Sequence, residues 1–224
     1  MEQIGLLHDG QIYDLQTAEA LNIKGDIIKA DDSKESLEIL RHSCAHMMAQ
    51  AIKELYPEAK FFVGPVVKEG FYYDFKVESK ISDEDLPAIE KKMKEIADRK
   101  LPITRHETTK EEFYEKFKND ELKQAVLKNI KDDTLTIYKQ GDFEDLCRGP
   151  HLPNTRMIRS FKLTRVAGAY LGGDEKNEMI TRIYGIAFFD KQALFDYTKM
   201  IEEAKKRDHR KLGTELELFT FNDD

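Results

Sequence analysis

Cysteine is scarce in this 224-residue chain, which holds only Cys44 and Cys147. Two thiols cannot staple a small secreted scaffold, so a reducing cytoplasm is the expected compartment. No apolar run approaches the roughly 20 residues that a membrane span needs, and no membrane partner is expected. The first residues, MEQIGLLHDG, lack the basic segment and apolar stretch of a secretory leader. Positive charge is not in excess either. Lys+Arg number 36 against 43 Asp+Glu, a net charge of −7, so a nucleic-acid role requires a local patch or attachment to a larger machine. No GxGxxG, Walker loop or serine-centred elbow is present, and no nucleotide site is expected within the chain. What remains is 40% hydrophobic and 35% charged, enough apolar material for a real core in one large domain or two small ones.

The pattern along the chain predicts helices and hairpin-linked strands. Residues 1–33 read as a short unit: a hairpin about Asp9-Gly10, then one or two helical turns. Such a piece is too small to bury much surface alone and should dock on the rest of the chain. A strong helix should begin with Asp32 as cap and Glu35 as its partner and stop at Pro57, with Leu37, Leu40, Cys44, Met47, Met48, Ala51 and Leu55 on one apolar stripe. A hairpin with Gly70 in its turn comes after it, then an amphipathic helix capped by Ser82. Next come a strand near 101–109, a helical stretch over 110–130 broken near Asn119-Asp120, and the strand TLTIYKQ with a Gly141-Asp142 turn. FKLTRVAGAYLGGD and MITRIYGIAFFD form a strand pair, and a charged helix over about 191–212 carries the basic cluster KKRDHRK. Helices and strands are segregated rather than alternating. The expected class is therefore α+β, a mostly antiparallel sheet packed with helices, the long His-bearing helix lining a cleft.

Two short motifs could carry chemistry. In RHSCAHMMAQ, His42 and His46 stand four apart and point together on the helix, roughly away from the Leu37/Cys44/Met47 stripe. Taken alone, such a pair is readily explained as structural histidines bonded to carbonyls. In DLCRGPH, Cys147 and His151 stand four apart on a Gly-Pro loop that cannot be a regular helix, with Asp145 two residues before the thiol. His42, His46, Cys147 and His151 together make a His3Cys set suited to tetrahedral zinc. The same set suits metal-free hydrolysis, since imidazoles can steer and deprotonate a water. Cys44 reads as core. Tyr73 and Asp74 on an aromatic strand, and Lys123 on a short helix, are weaker candidates.

RHSCAHMMAQAIKELYP, FFVGPVVKEGFYYDF, FEDLCRGPHLPNT, FKLTRVAGAYLGGDEKNEM, RIYGIAF and EEAKKRDHRKLGTELELF resemble, in order, the N-terminal editing region of bacterial-type threonyl-tRNA synthetases. HxxxH with CxxxH also resembles the editing domains of alanyl-tRNA synthetases. The resemblance implies an editing domain over 34–190 and a linker helix over 191–224 toward a synthetase body. It also makes residues 1–33 a reduced or replaced ubiquitin-like domain. The aminoacylation, ATP and zinc sites of such a synthetase would lie outside this chain. It further implies hydrolysis of mischarged seryl-tRNA(Thr) to serine and tRNA(Thr), with the tRNA 3′ end and the remainder of the synthetase as partners. His42 would activate a water beside His46, Lys123 would serve the leaving ribose oxygen, and Asp145 would hold the serine amino group. Cys147 and His151 would complete the wall, and Tyr73 would stand near the substrate. The threonyl type is described as editing without a metal, so no cofactor is required, with zinc at the quartet the other option. A free-standing trans-editing deacylase and a non-catalytic tRNA-binding module are the alternatives.

Overall fold

The computed structural model describes the backbone of residues 1–220 and side chains through Leu212. Strands β1 (Gln3–His8) and β2 (Gln11–Asp14) form the expected hairpin. Asp9 and Gly10 both take positive φ, 49° and 75°, the pairing that lets a two-residue turn follow the twist of its strands. Helix α1 (Leu15–Ala20) is capped by Asp14, which accepts from Thr17 N at 2.8 Å. A third strand, β3 (Asp26–Lys29), pairs with the other edge of β1, giving the order β2-β1-β3. Four residues are too few for a periodic signal, and the sequence pattern does not reveal this strand.

Helix α2 (Lys34–Leu55) is the axis of the fold. Its N-cap is Ser33, not Asp32. The Asp32 carboxylate instead accepts from Phe189 N at 2.7 Å and Asp190 N at 3.3 Å, tying the start of α2 to the start of the last helix. The single apolar stripe also needs correction. From Ser36 to Ile52 every residue is buried except Glu38 and His42, which are half-buried, while Leu55 is exposed. Ser36, Ser43, Ala45, Ala49 and Ala51 are small enough to let neighbours approach on sides that a surface helix would leave to water.

The main sheet contains β4 (Lys60–Phe61), β5 (Val66–Val67), β6 (Gly70–Lys76), β10 (Ser160–Tyr170) and β11 (Met179–Phe188). Its order is β10-β11-β6-β4, with β5 beside β6 and all pairings antiparallel. Gly70 opens β6 rather than forming the turn, which falls at Lys68-Glu69. Helix α3 (Leu86–Asp98) follows a 3-10 turn capped by the Ser82–Asp85 box and packs on α2 and β10. A second sheet, in order β7-β8-β9, holds β7 (Thr104–Thr109), β8 (Thr134–Gln140) and β9 (Phe143–Leu146). Between β7 and β8 lie α4 (Lys110–Lys116) and α5 (Glu121–Lys128). The break between them is set by Asp120, whose carboxylate caps α5 at Leu122 N and Lys123 N, both 3.1 Å. Helix α6 (Lys191–Thr220) leaves the end of β11, and residues 202–212, including the basic cluster, are exposed on every side. The proposed 191–224 linker ends at 221–224, outside the described residues.

One apolar cluster runs from Ile4 and Ile28 through α2 and α3 to Ile183 and Ala187, so residues 1–33 share their core with the rest. The architecture is α+β, with open antiparallel sheets packed by helices. Among the described residues, no helix is long and apolar enough to cross a membrane.

Candidate active site

Three elements meet beside the middle of α2. The helix supplies His42 and His46, one turn apart. Strand β9 supplies Asp145, and the loop after it supplies Cys147 and His151. Gly149 in that loop has φ of 76° and lies against the Tyr138 hydroxyl, where a Cβ would come to 2.6 Å. A side chain fits neither the backbone angle nor the space. The ligating atoms of His42, His46, Cys147 and His151 all lie within 4.8 Å of one another. The His42 and His151 rings stack at 4.1 Å, and His46 stands edge-on to both, at 4.9 and 4.4 Å. The histidines outside the two motifs lie elsewhere: His8 pairs with Asp9, His106 bonds Thr104 on β7, and His209 is on exposed α6.

Hydrogen bonds fix where the protons sit. His42 Nδ1 donates to the Pro150 carbonyl at 3.0 Å, which leaves Nε2 with its lone pair. Burial pulls the His42 pKa down to about 4 and draws His46 and His151 well below the usual imidazole range. All three rings are therefore neutral at pH 7. Burial pushes the Cys147 thiol up, so it stays an S–H group and is not a thiolate nucleophile. The protonated thiol donates to His151 Nε2 at 3.1 Å, and His151 Nδ1 then donates to Ser43 Oγ at 2.9 Å. Ser43 Oγ also accepts from Leu152 N at 2.8 Å. Among the described residues, nothing hydrogen-bonds the His46 ring, which packs against Tyr73 and Phe143.

Lys123 and Asp145 form a buried ion pair beside the quartet. Both of the carboxylate's bonds, from Lys123 Nζ and from Leu146 N, fall on Oδ1. Burial lowers the Lys123 pKa to about 8 and raises that of Asp145; pairing offsets that cost for both charges. Tyr73 is buried, edge-on to His46 at 5.9 Å.

Four contributors are not evident from the motifs. Asp14, from the N-terminal hairpin, accepts from His151 N at 2.9 Å and from Tyr138 Oη at 2.5 Å. Tyr138 packs on the His151 ring at 4.5 Å. Ser43 and the Pro150 carbonyl orient His151 and His42. Ser43, inside RHSCAH, and Pro150, inside DLCRGPH, have a local signal; Asp14 is remote in the chain from both site residues that it holds.

The open space beside the site lies in two places. A cleft of about 640 Å3 between the N-terminal unit and the β7-β8-β9 sheet is lined by Glu38 of α2 and by Cys147–Pro150. A smaller one, about 390 Å3, reaches Lys123 and Phe143. Helix α2 thus borders the clefts through Glu38 and Lys53, with its histidines set behind the loop and β9.

The quartet fits a zinc ion chemically. Tetrahedral zinc needs N and S donors about 3.5 Å apart; the four ligating atoms lie within 4.8 Å of one another and would draw together around an ion. The second nitrogens of His42 and His151 are held by oxygen partners, as in zinc sites. Bound zinc would polarise a carbonyl or acidify a water, although four protein ligands would close its shell.

Residues 135–184, which carry β8, β9, the Cys-His loop and β10, match the threonyl and alanyl tRNA synthetase second additional domain. The chain is 66% identical over 223 residues to a threonine–tRNA ligase of Campylobacter jejuni, covering 100% of the chain and 37% of that protein. It is 65% identical over 223 residues to one of Helicobacter hepaticus, with the same coverage of each. A threonine–tRNA ligase of Campylobacter lari is 71% identical over 194 residues, 87% of the chain and 32% of that protein. The chain thus spans little more than a third of the length of these relatives. Similarity places it with the N-terminal part of bacterial threonine–tRNA ligases, and its residues 135–184 with the second additional domain shared by threonyl and alanyl tRNA synthetases.

Proposed function

We propose that this chain hydrolyses mischarged seryl-tRNA(Thr) to serine and tRNA(Thr), as the editing part of a cytoplasmic threonine–tRNA ligase whose remaining length supplies aminoacylation and most tRNA contacts. The observation that carries the reading is the His3Cys quartet, neutral at pH 7 and adjacent to a buried Lys-Asp pair, in a chain whose relatives are threonine–tRNA ligases. The chemical need is clear. Serine differs from threonine by one missing methyl, which binding alone discriminates only about 10- to 200-fold, so a second, hydrolytic site is required.

In the proposed reaction a water accepts orientation from His42 Nε2 and attacks the ester carbonyl. Its proton passes to His42, and the bond to the ribose oxygen breaks as Lys123 protonates that oxygen. Asp145 Oδ2, free of the bonds that occupy Oδ1, faces the cationic amino group. His46, Cys147, His151 and Tyr73 wall the site and hold the water in place. An activated ester needs no covalent intermediate when water and acid are positioned together. No metal is required for these steps.

Deacylation of seryl- and threonyl-tRNA(Thr) by this chain tests the reading. Seryl ester should be cleaved and threonyl ester spared, and EDTA should leave the rate intact. Equal rates on both esters overturn the editing role. Loss in EDTA with recovery in zinc transfers water activation to a metal. The variants His42→Ala and Lys123→Ala should abolish hydrolysis; hydrolysis that survives while tRNA binding is lost would instead indicate a binding module.

A further inference from the structure

Phe143 is not used by the reaction above, yet it occupies a telling position. Strand β9 alternates, so Phe143 and Asp145 project from the same, buried face. The Phe143 ring meets His46 edge-on, with centroids 6.2 Å apart at 90°. It also borders the 390 Å3 cleft together with Lys123 and Phe61, while His46 does not reach that lining. The ring therefore stands between an opening to solvent and the imidazole that, among the described residues, no group hydrogen-bonds.

Its orientation is locked. Phe61 meets Phe143 at 89° with centroids 5.7 Å apart, and Phe61 in turn meets Tyr73 at 90° and 5.6 Å. Tyr73 closes the circuit on His46. Interlocked edge-to-face rings in a close-packed interior resist displacement, so this wall cannot shift cheaply to admit an extra methyl.

We propose that Phe143 is the specificity wall of the site: the acyl side chain of the ester lies against its ring beside His46 and Lys123, and an added methyl collides with it. The proposal rests on the editing reading and assigns the serine-sized limit of the site to one residue. It also makes the smaller cleft the side on which the amino-acid moiety lies and the larger cleft, bounded by the N-terminal unit, the side left for the nucleotide.

The test measures the ratio of seryl- to threonyl-tRNA(Thr) hydrolysis for the parent chain, Phe143→Leu and Phe143→Ala, with folding checked by circular dichroism. A folded variant should lose at least tenfold in that ratio through gain of threonyl hydrolysis, with Phe143→Ala changing more than Phe143→Leu. An unchanged ratio in either folded variant overturns the proposal and leaves editing untouched. A second measurement does not require turnover: binding of seryl and threonyl amides of 3′-amino-3′-deoxyadenosine. The parent should prefer the seryl amide, and the variants should bind both within about threefold. If the preference is present and is lost in the variants while the parent hydrolyses neither ester, the wall stands and the editing reaction fails. If the parent shows no preference in binding or in hydrolysis, the wall is refuted.

Discussion

Protonating the imidazoles of the quartet should destabilise this protein in mild acid, and the size of the effect follows from His42. Its pKa is about 4 in the folded chain and about 6.5 when exposed by unfolding. Between those values the unfolded chain binds the extra proton and the folded chain does not, so stability falls as pH falls. For His42 alone the loss relative to pH 7 and above is about 2 kcal/mol at pH 5 and about 3 kcal/mol at pH 4. His46 and His151 are displaced in the same direction by the same burial and add to it. Against a typical total of about 5–15 kcal/mol, this is a large fraction. The assay is urea unfolding followed by circular dichroism at pH 7 and pH 5, in EDTA so that metal does not contribute. The midpoint should drop sharply at pH 5, and His42→Gln should recover about 2 kcal/mol of the difference. Equal midpoints at the two pH values would refute the neutral quartet; an undiminished difference in His42→Gln would remove His42 from it.

Three further outcomes are expected. Lys123→Met leaves Asp145 buried without its cation and should cost about 3–5 kcal/mol; the double variant Lys123→Met/Asp145→Leu should regain most of that, as read by denaturant unfolding. Asp14→Ala takes the acceptor from His151 N and Thr17 N and leaves Tyr138 Oη with Thr17 Oγ1 alone, a loss of about 2–5 kcal/mol, and should slow seryl-ester hydrolysis although Asp14 lies outside both motifs. Gly149→Ala places a Cβ 2.6 Å from Tyr138 Oη and 2.8 Å from Asp14 Oδ2 at a φ of 76°; it should cost about 2 kcal/mol or more and lower the melting temperature, and an unchanged melt would contradict the close packing of the loop.

Much was legible in the sequence because it is encoded locally. Turn chemistry at Asp9-Gly10, the interruption at Asp120 and the paired strands β10 and β11 depend on neighbouring residues, and those elements fell where the pattern placed them; Ser82 caps the 3-10 turn ahead of α3, whose own N-cap is Asp85. The two motifs gave the quartet, since spacing four on a helix and a Gly-Pro loop are both chain-local facts. The errors share a cause. Asp32 resembles a helix cap, but a carboxylate bonds whichever N–H the fold brings to it, and those belonged to Phe189 and Asp190. The stripe on α2 suggested one buried face because periodicity cannot show what lies across the other.

The sequence by itself determined the class of the fold, the identity of the four N and S groups and the family they resemble. Only the tertiary structure decided that His42 keeps its proton on Nδ1, that Cys147 stays a thiol, and that Lys123 and Asp145 neutralise each other. It also decided that the N-terminal hairpin reaches the site through Asp14. Each of these is a matter of burial and of contacts between residues distant in the chain. Desolvation and hydrogen-bond partners set the protonation of a side chain, and neither exists until the chain has closed around it.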